Sequence, residues 1–221
     1  MNSVKISMDI ERLEIKRKTK WIYGSLKRCF DVISSIIAII AMSPLYLIIA
    51  IVVKLDSRGS IFFKHERLGR DGKIIKVYKF RTMVVNAQQI LKNMPEEKKM
   101  EFEKNFKFED DPRITKVGKF LRQSSLDELP QLINIIKGEM SVVGPRPIVM
   151  KELEKYGING DKLLTIKPGL TGNWQVNGRS NTSYEHRVKL DMDYIDTRNF
   201  SKDMVIIAKT VGVVYKKVGA K

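Results

Sequence analysis

A single cysteine, Cys29, stands in a chain of 221 residues, and the only histidines are His65 and His186. One cysteine excludes an intrachain disulfide and a cysteine-based zinc site, and it suits a reducing compartment. His65 precedes Glu66 but has no second histidine four residues on, so the helical zinc-protease motif is absent. No internal repeat and no low-complexity tract occurs, which removes solenoid and fibrous classes. Acidic residues are in the minority, 25 against 41 basic, leaving a formal net charge of +16. A chain this basic seeks phosphate in some form: nucleic acid, anionic lipid head groups or a nucleotide. Nucleic acid is the poorest of the three, because no nucleic-acid motif occurs and the basic residues are spread along the chain. With 43% hydrophobic and 30% charged residues the chain is not disordered. Its length allows one domain with a real core, plus appendages.

Charge is missing altogether from Val32 to Val53, where Ser34, Ser35 and Ser43 are the main polar members. Some twenty apolar residues suffice to cross a hydrocarbon core of roughly 30 Å. The run begins late, is long and lacks a small-residue cleavage pattern, which disfavours a removable signal peptide. Pro44 lies near its middle and must bend a helix there, by removing a backbone donor and crowding the carbonyl four residues back. The Ser43 hydroxyl can satisfy a carbonyl freed at the bend. Both flanks are basic, Lys27 and Arg28 before and Lys54 and Arg58 after. Positive flanks on both sides suit a re-entrant helix-break-helix hairpin that enters and leaves through the cytoplasmic leaflet; a kinked ordinary span is the other reading. Residues 1–28 carry eight basic and three acidic side chains, with Trp21 and Tyr23 just before the apolar run. They read either as a basic arm on anionic lipid or as a solvated terminus.

From residue 55 the pattern is globular. Ile61-Phe62-Phe63 reads as a strand, Arg70-Asp71-Gly72-Lys73 as a turn, and Ile74 to Met83 as a second strand, together a short β-hairpin. In the second strand Ile75, Val77, Lys79 and Arg81 share a face, so the two cations mark either a solvated strand end or an anion site. Asn86 to Phe108 reads as two exposed helices separated at Pro95. Helical spacing returns at Ile114, Val117, Phe120 and Leu121, and again from Leu126 to Ile136. Between them lies Ser125-Leu126-Asp127-Glu128. Ser125 with Glu128 matches a capping box. Pro130 instead favours Asp127 as the cap, since proline is tolerated in the first turn. Either reading puts both carboxylates at a helix N-terminus, where anions are favoured. Gly144-Pro145-Arg146-Pro147 stiffens the backbone around one guanidinium that can meet a phosphate. Lys167-Pro168-Gly169-Leu170-Thr171-Gly172, continuing to Trp174 and Arg179, reads as further tight turns. Rigid basic turns around one acidic pair suit a nucleotide diphosphate. Met204 to Val218 mixes valine and isoleucine with lysine and reads as an interfacial amphipathic helix or a core helix.

These motifs resemble the bacterial sugar transferase family, the monotopic phosphoglycosyl transferases, over about residues 25–215. The resemblance is carried by Lys27-Arg28-Cys29-Phe30-Asp31, Ser43-Pro44, Tyr78-Lys79-Phe80-Arg81-Thr82-Met83, Ser125 through Gln131, Gly144-Pro145-Arg146-Pro147, and Pro168 through Arg179. It points to the minimal, single-domain form. What it implies is an α+β fold: a mostly helical cytosolic domain over 55–221 with a short β-hairpin. Ahead of it come an interfacial arm over 1–28 and a re-entrant membrane hairpin over 29–54, broken at Ser43-Pro44. The implied place is the cytoplasmic face of a bacterial inner membrane. The implied reaction moves a phosphosugar from a UDP-sugar to polyprenyl phosphate, releases UMP and needs Mg²⁺. Asp127 would be the nucleophile, through a phosphoryl-Asp intermediate, and with Glu128 would hold the metal. Lys79, Arg146, Arg179, Asp191 and Asp203 carry over as further functional positions; Arg81 is added as a candidate phosphate contact on the strand-face reading alone. The implied partners are the two substrates, anionic lipid and downstream glycosyltransferases. Two alternatives stay open: direct attack by the lipid phosphate with Asp127 only binding Mg²⁺, and a basic membrane-tethered scaffold without enzymatic activity.

Overall fold

The structure, a computed structural model, describes residues 2–105, 108, 111–177 and 183–215; for 2–20 and 101–105 the backbone alone is described. The chain opens on α1 (Asn2–Ala41), which runs unbroken across the expected boundary at residue 28. Helix α2 (Ser43–Asp56) follows at once, bent by 64° from the Trp21–Ala41 part of α1. The break forms as anticipated. Pro44 cannot donate to the Ile40 carbonyl, and the Ser43 hydroxyl donates to that carbonyl instead, at 2.8 Å. Among the described residues no single helix is long and apolar enough to cross a membrane, whereas this bent pair passes that test together.

The hairpin is present: β1 (Phe62–Leu68) pairs antiparallel with β2 (Ile74–Phe80). Its turn needs left-handed backbone at Asp71 (φ 59°) and Gly72 (φ 72°), which short polar residues and glycine tolerate. Two short helices, α3 (Ala87–Lys92) and α4 (Glu96–Asn105), flank Pro95. Then come α5 (Lys116–Ser124), capped by the Thr115 hydroxyl at the Gly118 amide, and α6 (Gln131–Lys137). A second, parallel strand pair had no forewarning in the sequence: β3 (Ser141–Val143) beside β4 (Gly169–Thr171). Between its strands lie the short helices α7 (Met150–Leu153) and α8 (Gly160–Leu163), and after it α9 (Asn173–Val176), α10 (Tyr184–Thr197) and α11 (Phe200–Tyr215).

The glycines at this pair act otherwise than expected. None of Gly144, Gly169 and Gly172 has positive φ. A Cβ on Gly169 would lie 2.1 Å from the Gly144 nitrogen, and one on Gly172 2.3 Å from the Gly144 carbonyl oxygen. They allow backbones to touch rather than turn, which brings the ends of both strands side by side.

The apolar helices are built into the domain. Ala38 and Ile39 of α1 pack on a core of Val77, Leu132, Ile135 and Met140. Ile49 and Val53 of α2 pack on Phe80 and Leu121. Polar groups reinforce this docking. Arg28 donates to the Ile135 and Ile136 carbonyls at the end of α6. Asp31 accepts from the Ser141 hydroxyl at 2.7 Å and the Val142 amide at 3.1 Å. Lys27 pairs with Asp203 at 2.8 Å. The basic flank read as a topology signal thus also holds α1 to the domain. Elsewhere the pair shows apolar side chains to the outside, among them Trp21, Ile37, Ile40, Leu47 and Ile48. α11 is two-sided: Asp203 and Ile206 are buried, Val205 and Val211 exposed. Lys216, Lys217 and Val218 lie outside the described residues.

Candidate active site

Asp127 and Glu128 lie between α5 and α6, in a single 3-10 turn, Leu126–Glu128. Neither expected cap forms. Ser125 closes α5 in the left-handed region (φ 58°, ψ 15°) and its side chain caps nothing. Pro130, not Asp127, holds the N-cap position of α6. A proline there stops α6 from extending backwards through the pair, and the left-handed Ser125 stops α5 from extending forwards. The carboxylates are therefore presented on a sharp, fixed corner.

Lys79 reaches this corner from β2. Its ammonium donates to Glu128 Oε1 at 2.6 Å and stands 3.8 Å from Asp127 Oδ2. Arg146, from the stiff loop after β3, lies 3.5 Å from the same Glu128 oxygen. Asp127 is 7% exposed. Burial raises its pKa, the Glu128 charge adds to the rise, and Lys79, Arg122 and Arg146 oppose it. For Glu128 burial acts in the same upward sense, but Lys79 and Arg146 outweigh it and bring the group down to about 2. The pair is thus divided: one carboxylate is locked in ionised form, and its neighbour is buried, more basic and so more nucleophilic once ionised.

Two cations escaped the sequence reading. Arg67, on β1, donates to Glu152 at 3.1 Å and to His65 Nδ1 at 3.2 Å, and burial beside Arg146 lowers it to about 10. Arg122, on α5, donates to the Thr82 hydroxyl at 2.9 Å and interacts electrostatically with Asp127. Strand periodicity could have found Arg67, since β1 residues 63, 65 and 67 pair with 79, 77 and 75 of β2. Burial beside these cations also drives His65 down to about 4, which keeps it neutral.

Other expected residues lie elsewhere. Arg81 turns away from Lys79 and donates to the carbonyls of Val53, Ser57 and Arg58, closing the C-terminus of α2. Asp191 is wholly buried in α10 and accepts from the Tyr156 hydroxyl at 2.8 Å. Asp203 accepts from Tyr23, Lys27 and Tyr194, tying α1 to α11. Arg179 lies outside the described residues.

Asp127, Glu128, Lys79 and Arg146 thus form one cluster beside a narrow cleft, which Arg67, Gln131 and Gln175 also line. Among the described residues no group of three acidic, histidine or cysteine side chains gathers to hold a metal. A pair of carboxylates is still the donor set Mg²⁺ commonly takes from a protein, with water and substrate phosphate completing its shell. The chain's residues therefore fit that ion.

Residues 22–217 match the family model for bacterial sugar transferases. The chain belongs to that family. An uncharacterized sugar transferase of Haemophilus influenzae is 48% identical over 198 residues, covering 88% of this chain and 42% of the relative. An undecaprenyl-phosphate galactose phosphotransferase of Salmonella typhimurium is 47% identical over 198 residues, covering 88% and 41%. The exopolysaccharide production protein ExoY of Sinorhizobium fredii is 46% identical over 194 residues, covering 86% of each. The chain thus spans about two fifths of the first two relatives and most of the third. The matched residues take in α1 from residue 22, all of α2, the acidic corner and α11.

Proposed function

We propose that the chain transfers a sugar 1-phosphate from a UDP-sugar to polyprenyl phosphate, releasing UMP and forming a polyprenyl-diphosphate-sugar. The observation that carries this reading is the acidic corner, one buried carboxylate beside one clamped by Lys79 and Arg146, in a member of a sugar transferase family. The name of the Salmonella relative, undecaprenyl-phosphate galactose phosphotransferase, agrees with it.

The geometry suits a two-step displacement. An Asp127 carboxylate oxygen attacks the phosphorus that bears the sugar; the bond to the UMP oxygen breaks and UMP leaves with its electron pair. A phosphate oxygen of the lipid then attacks the phosphoryl-Asp127, and the aspartate carboxylate departs unchanged. Lys79 lies close enough to Asp127 to oppose the rise that burial causes and so favour its ionised form. Lys79 and Arg146 offset the negative charge that nucleophile and diphosphate bring together. Mg²⁺ held by Asp127 and Glu128 would supply further charge neutralisation at the diphosphate. Two successive displacements let a water-soluble donor and a lipid acceptor use one corner in turn.

The bent helix pair is read as a re-entrant hairpin. Both arms pack on the same domain, α1 through Arg28 and Asp31 and α2 through Ile49 and Val53. A pair crossing the bilayer would carry its two ends to opposite sides. The proposed site is the cytoplasmic face of the bacterial inner membrane, where the exposed apolar residues at the bend enter lipid.

The test is UMP release from a UDP-sugar and polyprenyl phosphate. Asp127→Asn abolishes it, and a UDP-sugar radiolabelled in its sugar phosphate, supplied without acceptor, marks an Asp127-containing peptide of the parent protein. Near-normal turnover by Asp127→Asn would refute the nucleophile assignment.

A further inference from the structure

One face of β1 carries a shelf beside the acidic corner that the displacement chemistry does not use. Phe63, His65 and Arg67 share the face of the hairpin that bears Lys79, and Phe63 stands directly opposite Lys79 in the strand register. Phe63 is 48% exposed, and its one ring neighbour among the described residues is His65, with centroids 5.8 Å apart. Phe62, on the opposite face, has a packing partner instead and stacks on buried Phe80. Phe63 thus keeps an open aromatic surface next to the cation that meets Glu128.

His65 is fixed in one hydrogen-bonding sense. The Val149 amide donates to Glu152 at 2.9 Å, Glu152 accepts from Arg67, and Arg67 in turn donates to His65 Nδ1 at 3.2 Å. A guanidinium can only donate, so Nδ1 is the accepting nitrogen and the neutral imidazole carries its proton on Nε2. That Nε2–H has no partner among the described residues and is not sealed from solvent. The shelf therefore offers a π face and, beside it, one oriented N–H donor.

Its place narrows the ligand. Arg67, Lys79 and Arg146 gather positive charge where a diphosphate would lie, and the Lys79 side chain runs from the shelf to the acidic corner. An isoprenoid chain would use the phenyl ring but leave the N–H without an acceptor. A bare phosphate would use the N–H and not the ring. A planar base bearing carbonyl oxygens uses both, by stacking and by accepting a hydrogen bond. We infer that Phe63 and His65 form the uracil subsite of the donor, Phe63 stacking on the base and His65 Nε2 donating to one of its carbonyl oxygens. This rests on the transferase reading above and deepens it: the nucleoside is recognised on β1, apart from the charged groups that act on the phosphates.

The experiment uses the full chain in lipid nanodiscs. Calorimetry measures affinity for UMP and for inorganic pyrophosphate, and UMP release gives KM for a UDP-sugar and for polyprenyl phosphate. Phe63→Ala weakens UMP binding by about 5–30-fold, and His65→Leu by about 3–10-fold. His65→Gln, whose amide restores a donor, recovers most of that loss. KM for the UDP-sugar rises in step, while pyrophosphate affinity and KM for polyprenyl phosphate move less than twofold. Phe63 is half-exposed, so Phe63→Ala melts near the parent and decides the matter if His65→Leu folds poorly. Unchanged UMP affinity in Phe63→Ala overturns the inference. So does a rise confined to KM for polyprenyl phosphate, which would give the shelf to the lipid, and so does an equal loss of pyrophosphate affinity, which would give it to the phosphates. A parent protein that binds UMP but releases none from any UDP-sugar overturns the transferase reading alone; one that binds no UMP overturns both.

Discussion

At the scale of single residues the decisive contrast is between Asp127 and Glu128. They are neighbours in sequence, and burial acts on both in the same direction, yet Lys79 touches Glu128 directly and Asp127 only at longer range. Their affinities for protons are pushed apart, as happens where two carboxylates have different tasks. UMP release is expected to show an acidic limb above the ordinary carboxylate range, set by Asp127, with Glu128 ionised throughout. Lys79→Met removes a charge that lowers Asp127, so the limb moves to higher pH. A pH–rate profile that keeps its limb in place in that variant would assign the titration to another group. Asp191 poses a different question. Burial raises it from 3.8 to about 7, so the fold favours its protonated form. The stability it lends is complete below about pH 4 and is lost as pH rises through 7. At pH 8 Asp191→Asn, which still accepts from Tyr156, is expected to stabilise the chain by roughly 2–4 kcal/mol. Thermal melts between pH 4 and 8 read this directly, and an Asn variant that melts lower at pH 8 would contradict it.

At the scale of elements the bend at Ser43-Pro44 matters because of what it aims. It turns α2 so that the Tyr46 hydroxyl donates to the Leu129 carbonyl at 2.6 Å, one residue beyond Glu128. The Tyr46 ring also lies against Phe80, adjacent to Lys79 on β2. An apolar helix thus braces the acidic corner from below. Tyr46→Phe keeps the ring and removes one hydrogen bond, costing about 1 kcal/mol of stability. The expected signature is a lower kcat for UMP release at little-changed KM for the UDP-sugar; a rise in KM alone would argue against a bracing role. Other elements show how local pattern and context divide. The hairpin was legible because alternating residues around an Asp-Gly turn have few other solutions. The capping of the acidic corner was not, since two caps fitted the same four residues. The choice went to neither, because Pro130 and the left-handed Ser125 closed off the helices on both sides.

At the scale of the whole molecule, the two apolar helices and the acidic corner are one packed unit. α1 is held by Arg28 and Asp31, and α2 by its core face. A re-entrant hairpin places both of its flanks on one side of the membrane. Cys29 is exposed and is the only cysteine. It and a Lys54→Cys substitution, made in a Cys29→Ser background, are therefore expected to react with an impermeant maleimide from the same side of oriented vesicles. Labelling from opposite sides would establish a kinked span instead.

The sequence by itself determined the bent apolar segment, the hairpin, the acidic pair and the family, because each rests on local chemistry: a missing donor at Pro44, a two-residue period, an ordered set of motifs. Tertiary structure alone decided which charges meet. Lys79 and Arg81 lie two residues apart in sequence, yet one meets Glu128 and the other closes α2. Asp203, a candidate substrate contact, instead anchors α1. Arg67 and Arg122 joined the site without any motif to announce them. Long-range ion pairs depend on how elements pack, and that packing brought Gln131 and Gln175 into one cleft with Lys79, Glu128 and Arg146.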